Sequence, residues 1–226
     1  MSLMDLSPII ISFQTAIVAI FFTFVCGTLI AYLIFRLKNQ GLKLLFNSLF
    51  TLPLVLPPTV FGFFLLDIFG VQQPVGKFLV DFFAVKVVFS WEATVIAAVA
   101  VSFPLMYRSA IAAFEQIDPD LIAAGQTLGF SERKIFFTIA LPLAINGLSA
   151  GGVLAFARGL GEFGATTMLA GNIAGKTRTL PLAIYSAVAA GDWVLAQKYV
   201  IVIVIICLLI LFLTELFSRK ARGMQG

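Results

Sequence analysis

From Ile9 to Phe35 the chain reads IIISFQTAIVAIFFTFVCGTLIAYLIF, a run without Asp, Glu, Lys, Arg or His. A helix needs about 20 apolar residues to cross the hydrocarbon core of a bilayer, so this run can span it with length to spare. It is too long for the apolar part of a secretory signal, and it is preceded by Asp5 rather than a basic cluster. It reads as a first transmembrane helix. The composition agrees: of 226 residues 61% are hydrophobic and 12% charged, with a mean hydropathy of +1.07. A soluble domain carries roughly twice that share of charge.

Working outward, further apolar runs lie at about 44–66, 92–113, 143–169 and 195–217. Residues 67–90 read as a loop, and a short helix is predicted near 182–190, within the outer loop 171–193. Nine basic residues fall on one side: Arg36, Lys38, Lys43, Arg108, Arg133, Lys134, Arg219, Lys220 and Arg222. Four fall on the other: Lys77, Lys86, Lys176 and Arg178. The positive-inside rule makes the first side cytoplasmic. The fold class predicted is therefore an all-α polytopic membrane protein, a single transmembrane unit over 1–226. It has about five spans, its N-terminus outside and its C-terminus in the cytoplasm.

Several functions are excluded at this point. There is no histidine, and Cys26 and Cys207 both sit in apolar runs, where they read as small packing residues. No zinc or di-iron site, disulfide framework, Cys-His nucleophile or acidic dyad can be assembled inside a span. The net charge of +4 is accounted for by cytoplasmic loops rather than by nucleic-acid binding. No glycine-rich phosphate cradle follows a predicted strand, so a source of energy would sit on another chain. No internal repeat is visible, which speaks against a secondary carrier built by duplication.

Two apolar stretches depart from plain packing. The second span contains Pro53, Pro57, Pro58 and Thr59. Three prolines remove backbone donors and crowd the preceding carbonyls, so this helix must kink or break. Broken backbone at membrane depth is tolerated only inside protein or along a cavity. A pathway wall or gate is one reading, and a kink that merely shapes the bundle is the other. The fourth span places Gly147 and Gly151 at the spacing that lets helices approach closely. Farther along stand Arg158, Gly161, Glu162, Thr166 and Thr167. Arg158 and Glu162 are four residues apart and can neutralise each other on one helical face. Charges at that depth usually face a bundle interior or an aqueous cavity, although a self-satisfied structural pair fits the pattern equally well. For an anion in transit, the hydroxyls of Thr59, Thr166 and Thr167 suit better than a fixed arginine, because conduction needs weak, multiple contacts.

The most polar stretch is the cytoplasmic loop 115–142. Asp118-Pro119 is a helix start, with Asp as N-cap and Pro at the first helical position. Gly129 is an αL stop, and Ser131 can cap a second helix running toward Leu141-Pro142. Between them Ala123, Ala124 and Gly125 offer a face nearly without side chains, flanked by Leu121, Ile122 and Leu128. Such a face suits docking in another protein's groove, and it would also suit a loop lying flat on the membrane.

Gly129, followed after nine residues by Ile139-Ala140-Leu141-Pro142, resembles the loop signature of permease subunits of binding-protein-dependent ABC importers. That signature reads Glu-Ala-Ala, three residues, Gly, nine residues, Ile-x-Leu-Pro. Its first three positions here are Ala123, Ala124 and Gly125, so no role of the glutamate carries over. Over nearly its whole length the chain also resembles the molybdate-type permeases of that superfamily. The stretches concerned include Leu52 to Pro58, Ser102-Phe103-Pro104-Leu105-Met106, Leu154 to Arg158, Leu160 to Thr166, and Thr177-Arg178-Thr179.

The resemblance implies the type I importer permease architecture: a homodimer of permeases in the bacterial cytoplasmic (inner) membrane, two cytosolic ATPases and an external oxyanion-binding protein. Ala123, Ala124, Gly125, Leu128, Gly129, Ile139, Leu141 and Pro142 would then form the ATPase-coupling element. No cofactor would be bound by this chain, ATP and Mg being held by the ATPase. The competing readings are a sulfate or thiosulfate permease of the same architecture and, from another class, a stand-alone channel or secondary carrier.

Overall fold

The computed structural model describes residues 4–223, with side chains described as far as residue 212. Among the described residues there are ten helices and no strand: α1 (Ser7–Phe35), α2 (Gln40–Val55), α3 (Pro58–Phe69), α4 (Pro74–Phe83), α5 (Trp91–Glu115), α6 (Pro119–Thr127), α7 (Glu132–Leu160), α8 (Gly164–Ala170), α9 (Leu180–Ala189) and α10 (Trp193–Gly223). Four of these, α1, α5, α7 and α10, are each long and apolar enough to cross a membrane, and the bent pair α2–α3 makes a fifth.

Helix α5 is the axis of the bundle: 56% of its apolar window is buried, against 11–39% in the other long helices. Lipid supplies no hydrophobic drive between helices, so close packing and interhelical hydrogen bonds must hold them. Both are present. The hydroxyls of Thr15 and Thr94 meet at 2.8 Å, and those of Thr23 and Ser102 at 3.0 Å, joining α1 to α5. Gly147 and Gly151 let α7 close on α5, where an added Cβ on Gly147 would stand 2.6 Å from that of Ala113 and one on Gly151 would overlap Ser109. At the cytoplasmic end Tyr32 meets Phe114 edge-on and Phe136 at a tilt, within one apolar cluster. Outward faces carry large apolar side chains such as Ile17, Phe21 and Leu33, as a lipid-facing surface requires.

Ion pairs gather the cytoplasmic ends. Arg36 meets Glu132 at 2.6 Å, and Lys43 meets Glu115 at 2.8 Å. The end of α1, the starts of α2 and α7 and the end of α5 therefore lie together, on the side where the charge bias is positive. Arg219, Lys220 and Arg222 lie outside the residues whose side chains are described. At the opposite end the Thr177-Arg178-Thr179 stretch ties down a turn. Arg178 Nε donates to Asn172 Oδ1 (2.8 Å), Asn172 donates to Ser186 (2.7 Å), and the Ile173 N–H donates to the buried Thr177 hydroxyl (3.0 Å). Beside it, the Ser7 hydroxyl and N–H donate to Asp5 and hold that carboxyl below the usual range.

The structure departs from the sequence reading in four places. The loop 67–90 contains α4, which starts with Pro74 at its first turn and stops at Ala84 in the left-handed region (φ 54°). The fourth span is Glu132–Leu160 rather than 143–169, because the helix that Ser131 caps runs on without a break. A π-helical segment at Phe136–Ala140, in which the Leu141 N–H bonds the Phe136 carbonyl, makes room for the Pro142 ring. Cys26 and Cys207 are exposed on outward faces and do not pack in the core. Gly125 turns inward, as described below.

Candidate translocation and coupling sites

The first site is made of two broken helices set against each other. Between α2 and α3 the chain bends by 112°. Pro57 and Pro58 donate no N–H, and a residue before proline is driven to extended backbone, as observed at Leu56 (ψ 138°) and Pro57 (ψ 135°). Pro58 then opens α3 from its first position. Helix α7 stops at Leu160. Just beyond, the Glu162 carboxylate accepts the Ala165 N–H (2.7 Å), one of the free donors at the start of α8. Its other oxygen meets Arg158 Nη1 at 2.7 Å. The Glu162 side chain is 2% exposed and that of Arg158 32%, so the pair is half open.

Glycines let the two breaks touch. A Cβ on Gly164 would lie 2.8 Å from Pro58 Cβ and 3.2 Å from the Thr59 N, and one on Gly62 would lie 2.7 Å from Ala165 Cα. The structure thus brings Pro58 and Thr59 beside the 161–167 segment. Pro57, Pro58, Thr59 and Gly161 are exposed, and Pro53 is half-buried in α2. The three threonines are not equivalent. Thr59 is open, Thr166 is buried, and the Thr167 hydroxyl is spent on the Phe163 carbonyl (2.6 Å).

The second site is α6 and its flanks. Asp118 caps α6 by accepting the Asp120 N–H (2.9 Å). Its far end closes as a Schellman motif: Phe130 N–H bonds the Gly125 carbonyl (3.0 Å), Gly129 N–H bonds the Gln126 carbonyl (2.9 Å), and Gly129 is left-handed at φ 72°. The inner face of α6 is Ile122 and Gly125, both buried. A Cβ on Gly125 would stand 2.8 Å from Ile139 Cδ1 and 3.4 Å from Ile135 Cγ1. Gly125 therefore belongs to the seat of the loop on α7, and the exposed face is a different one: Ala123, Ala124 and Leu128, the last 71% exposed. Leu141 is half-buried and Pro142 exposed at the end of the π-helical segment.

A third feature escaped the sequence reading. A concavity of about 550 Å³ opens between the end of α5, the start of α6 and α7, lined among others by Ser109, Gln116, Asp118 and Asn146. These residues are scattered over the chain, and the only local signal was Asn146, an amide within an apolar run. Among the described residues no group of His, Cys, Asp and Glu could hold a metal ion.

Residues 23–223 match the family of binding-protein-dependent transport system inner membrane components. The chain belongs to that family. The permease is 46% identical over 209 residues to YvgM of Bacillus subtilis (strain 168), covering 92% of each chain. It is 39% identical over 219 residues to the molybdenum transport system permease protein ModB of Escherichia coli (strain K12), covering 96% of this chain and 95% of that one. A solved bacterial ABC transporter involved in import of the acidic polysaccharide alginate aligns with a TM-score of 0.79 at 15% identity, over 97% of this chain and 80% of that chain. The fold is thus that of type I ABC importer permeases. The permease is a multi-pass membrane component of a transport system that works with ATPase and binding-protein subunits.

Proposed function

We propose that the permease forms the membrane path of an ATP-driven importer of molybdate, with tungstate as a related cargo, in the bacterial cytoplasmic membrane. The observation that carries this reading is the 39% identity to ModB over 96% of the chain. Hydrolysis of ATP belongs to two separate cytosolic ATPases, and an external protein delivers the oxyanion. Two copies of the permease face each other across the path.

The exposed break at Pro57–Thr59 supports that arrangement. The last carbonyls of α2 have no intrahelical donors, and lipid cannot supply them. The break therefore faces water and the second copy. Thr59 and the Gly161 turn line the outer half of the path, while Glu162 holds α8 in place behind them. Ala123, Ala124 and Leu128 sit in the ATPase cleft. Gly125, Gly129, Ile139, Leu141 and Pro142 seat that helix on α7, so that closure of the ATPases pulls on a membrane-spanning lever.

The test is uptake by the reconstituted complex of permease, cognate ATPase and external protein. ATP-dependent accumulation of radiolabelled molybdate is expected, with sulfate at least tenfold slower. A preference for sulfate would make the chain a sulfate-type permease, and uptake without the ATPase would make it a channel or carrier.

A further inference from the structure

The concavity at the cytoplasmic end has a composition that a lipid-facing groove would not have. Its polar lining includes the hydroxyl of Ser109 and the amides of Gln116 and Asn146, and none of these side chains makes a hydrogen bond among the described residues. An amide turned to hydrocarbon without a partner costs several kcal/mol, of order 4–8 on the cyclohexane scale, so this face is not set against acyl chains. Beside the concavity α5 and α7 cross closely, with Gly147 resting on Ala113 and Gly151 on Ser109. Asp118 is its one charged lining residue, and that carboxylate already accepts the Asp120 N–H.

The concavity is lined by the cytoplasmic part of α7, the helix whose other end stops at the Gly161 turn. Asn146, Ala150 and Ala157 are exposed and recur on one face of α7, with the half-buried Val153 between them, and the exposed Gly161 follows its last residue. The 15 residues from Asn146 to Gly161 rise about 22 Å. This face of α7, mostly of small residues, points from the Gly161 turn toward Asn146.

We propose that this concavity is an exit-side site for the cargo, in which neutral donors of Ser109, Gln116 and Asn146 hold a hydrated tetrahedral oxyanion before release. This rests on the oxyanion-importer reading above. Neutral hydroxyl and amide donors match the oxygens of such an anion, and the absence of lysine or arginine from the lining keeps the contact weak enough for rapid departure. Asp118, on the cytosolic rim, opposes return of a dianion.

The experiment uses the whole reconstituted complex. Asn146→Asp and Gln116→Glu keep size and replace a donor by an anion. Molybdate uptake is expected to fall at least tenfold in each, with basal ATP hydrolysis unchanged. Uptake at the unsubstituted rate in both variants would overturn the site while leaving the importer reading intact. If the unsubstituted complex takes up no molybdate, it is the importer reading that fails.

Against loss of assembly, a second measurement uses Ser109→Cys in a chain carrying Cys26→Ala and Cys207→Ala. In inside-out vesicles without ATP an anionic methanethiosulfonate should label this position, and millimolar molybdate should slow the labelling severalfold. Labelling indifferent to molybdate would overturn the proposal. So would labelling of the permease alone but not of the complex, because the concavity would then be an ATPase seat.

Discussion

Gly125 and Ala124 are neighbours in sequence with opposite surroundings. Gly125 lies under Ile139 at a distance that admits no side chain, whereas Ala124 is exposed. Adding atoms to a packed seat typically costs about 1–3 kcal/mol, while a surface change away from such a seat is usually within about 0.5 kcal/mol. Gly125→Trp should therefore lower the melting temperature of the detergent-solubilised permease by several degrees. Ala124→Trp should leave melting unchanged yet abolish co-purification with the ATPase and transport. Equal melting of both variants would show that α6 is not seated through Gly125, and normal ATPase binding by Ala124→Trp would remove α6 as the docking element. The sequence pattern treated Ala123, Ala124 and Gly125 as one face. Helical geometry separates them, because successive residues are rotated by about 100°, and only the position of Ile139 decides which one is inside.

At the scale of elements, α8 is a seven-residue helix, too short to be stable by itself. It persists through its packing on α3 and through Glu162, which satisfies its Ala165 N–H and neutralises Arg158. Breaking a fully buried pair costs about 3–5 kcal/mol. Arg158 is 32% exposed, so solvent screens part of that, and about 2 kcal/mol is expected for Glu162→Ala. Glu162→Gln retains an acceptor for the N–H while losing the charge, and should destabilise less. Thermal unfolding of both variants checks this ordering. Equal loss in the two would assign the whole effect to the ion pair and none to the cap. The i,i+4 spacing already announced the pair. The cap was not readable, since it depends on the chain leaving the helix at Gly161, which moves Glu162 out of α7 and in front of α8.

At the scale of the molecule, sidedness follows from charge and geometry together. The Arg36–Glu132 and Lys43–Glu115 pairs hold the basic ends on one side, and the Asn172–Arg178 turn lies on the other. Reporter fusions at residue 226 and before residue 1 should give cytoplasmic and external signals respectively. Matching signals from both ends would contradict five spans and require an even number.

The apolar runs, the charge bias and the proline break were settled by composition and local chemistry, because a bilayer imposes length, charge asymmetry and backbone satisfaction on each segment separately. The caps at Asp118, Gly129 and Ser131 were legible for the same reason: each depends on residues within a few positions of itself. The tertiary structure alone decided that Gly125 faces inward, that α7 continues through Pro142 on a π-helical segment, that Thr59 is open while Thr166 is buried, and that Ser109, Gln116 and Asn146 share one hollow. Each of these depends on which helix lies opposite, a relation between residues far apart in the chain. In lipid that relation is set by close packing at glycines and by hydroxyl pairs; the Gly147–Gly151 spacing marks a close approach but not which helix makes it.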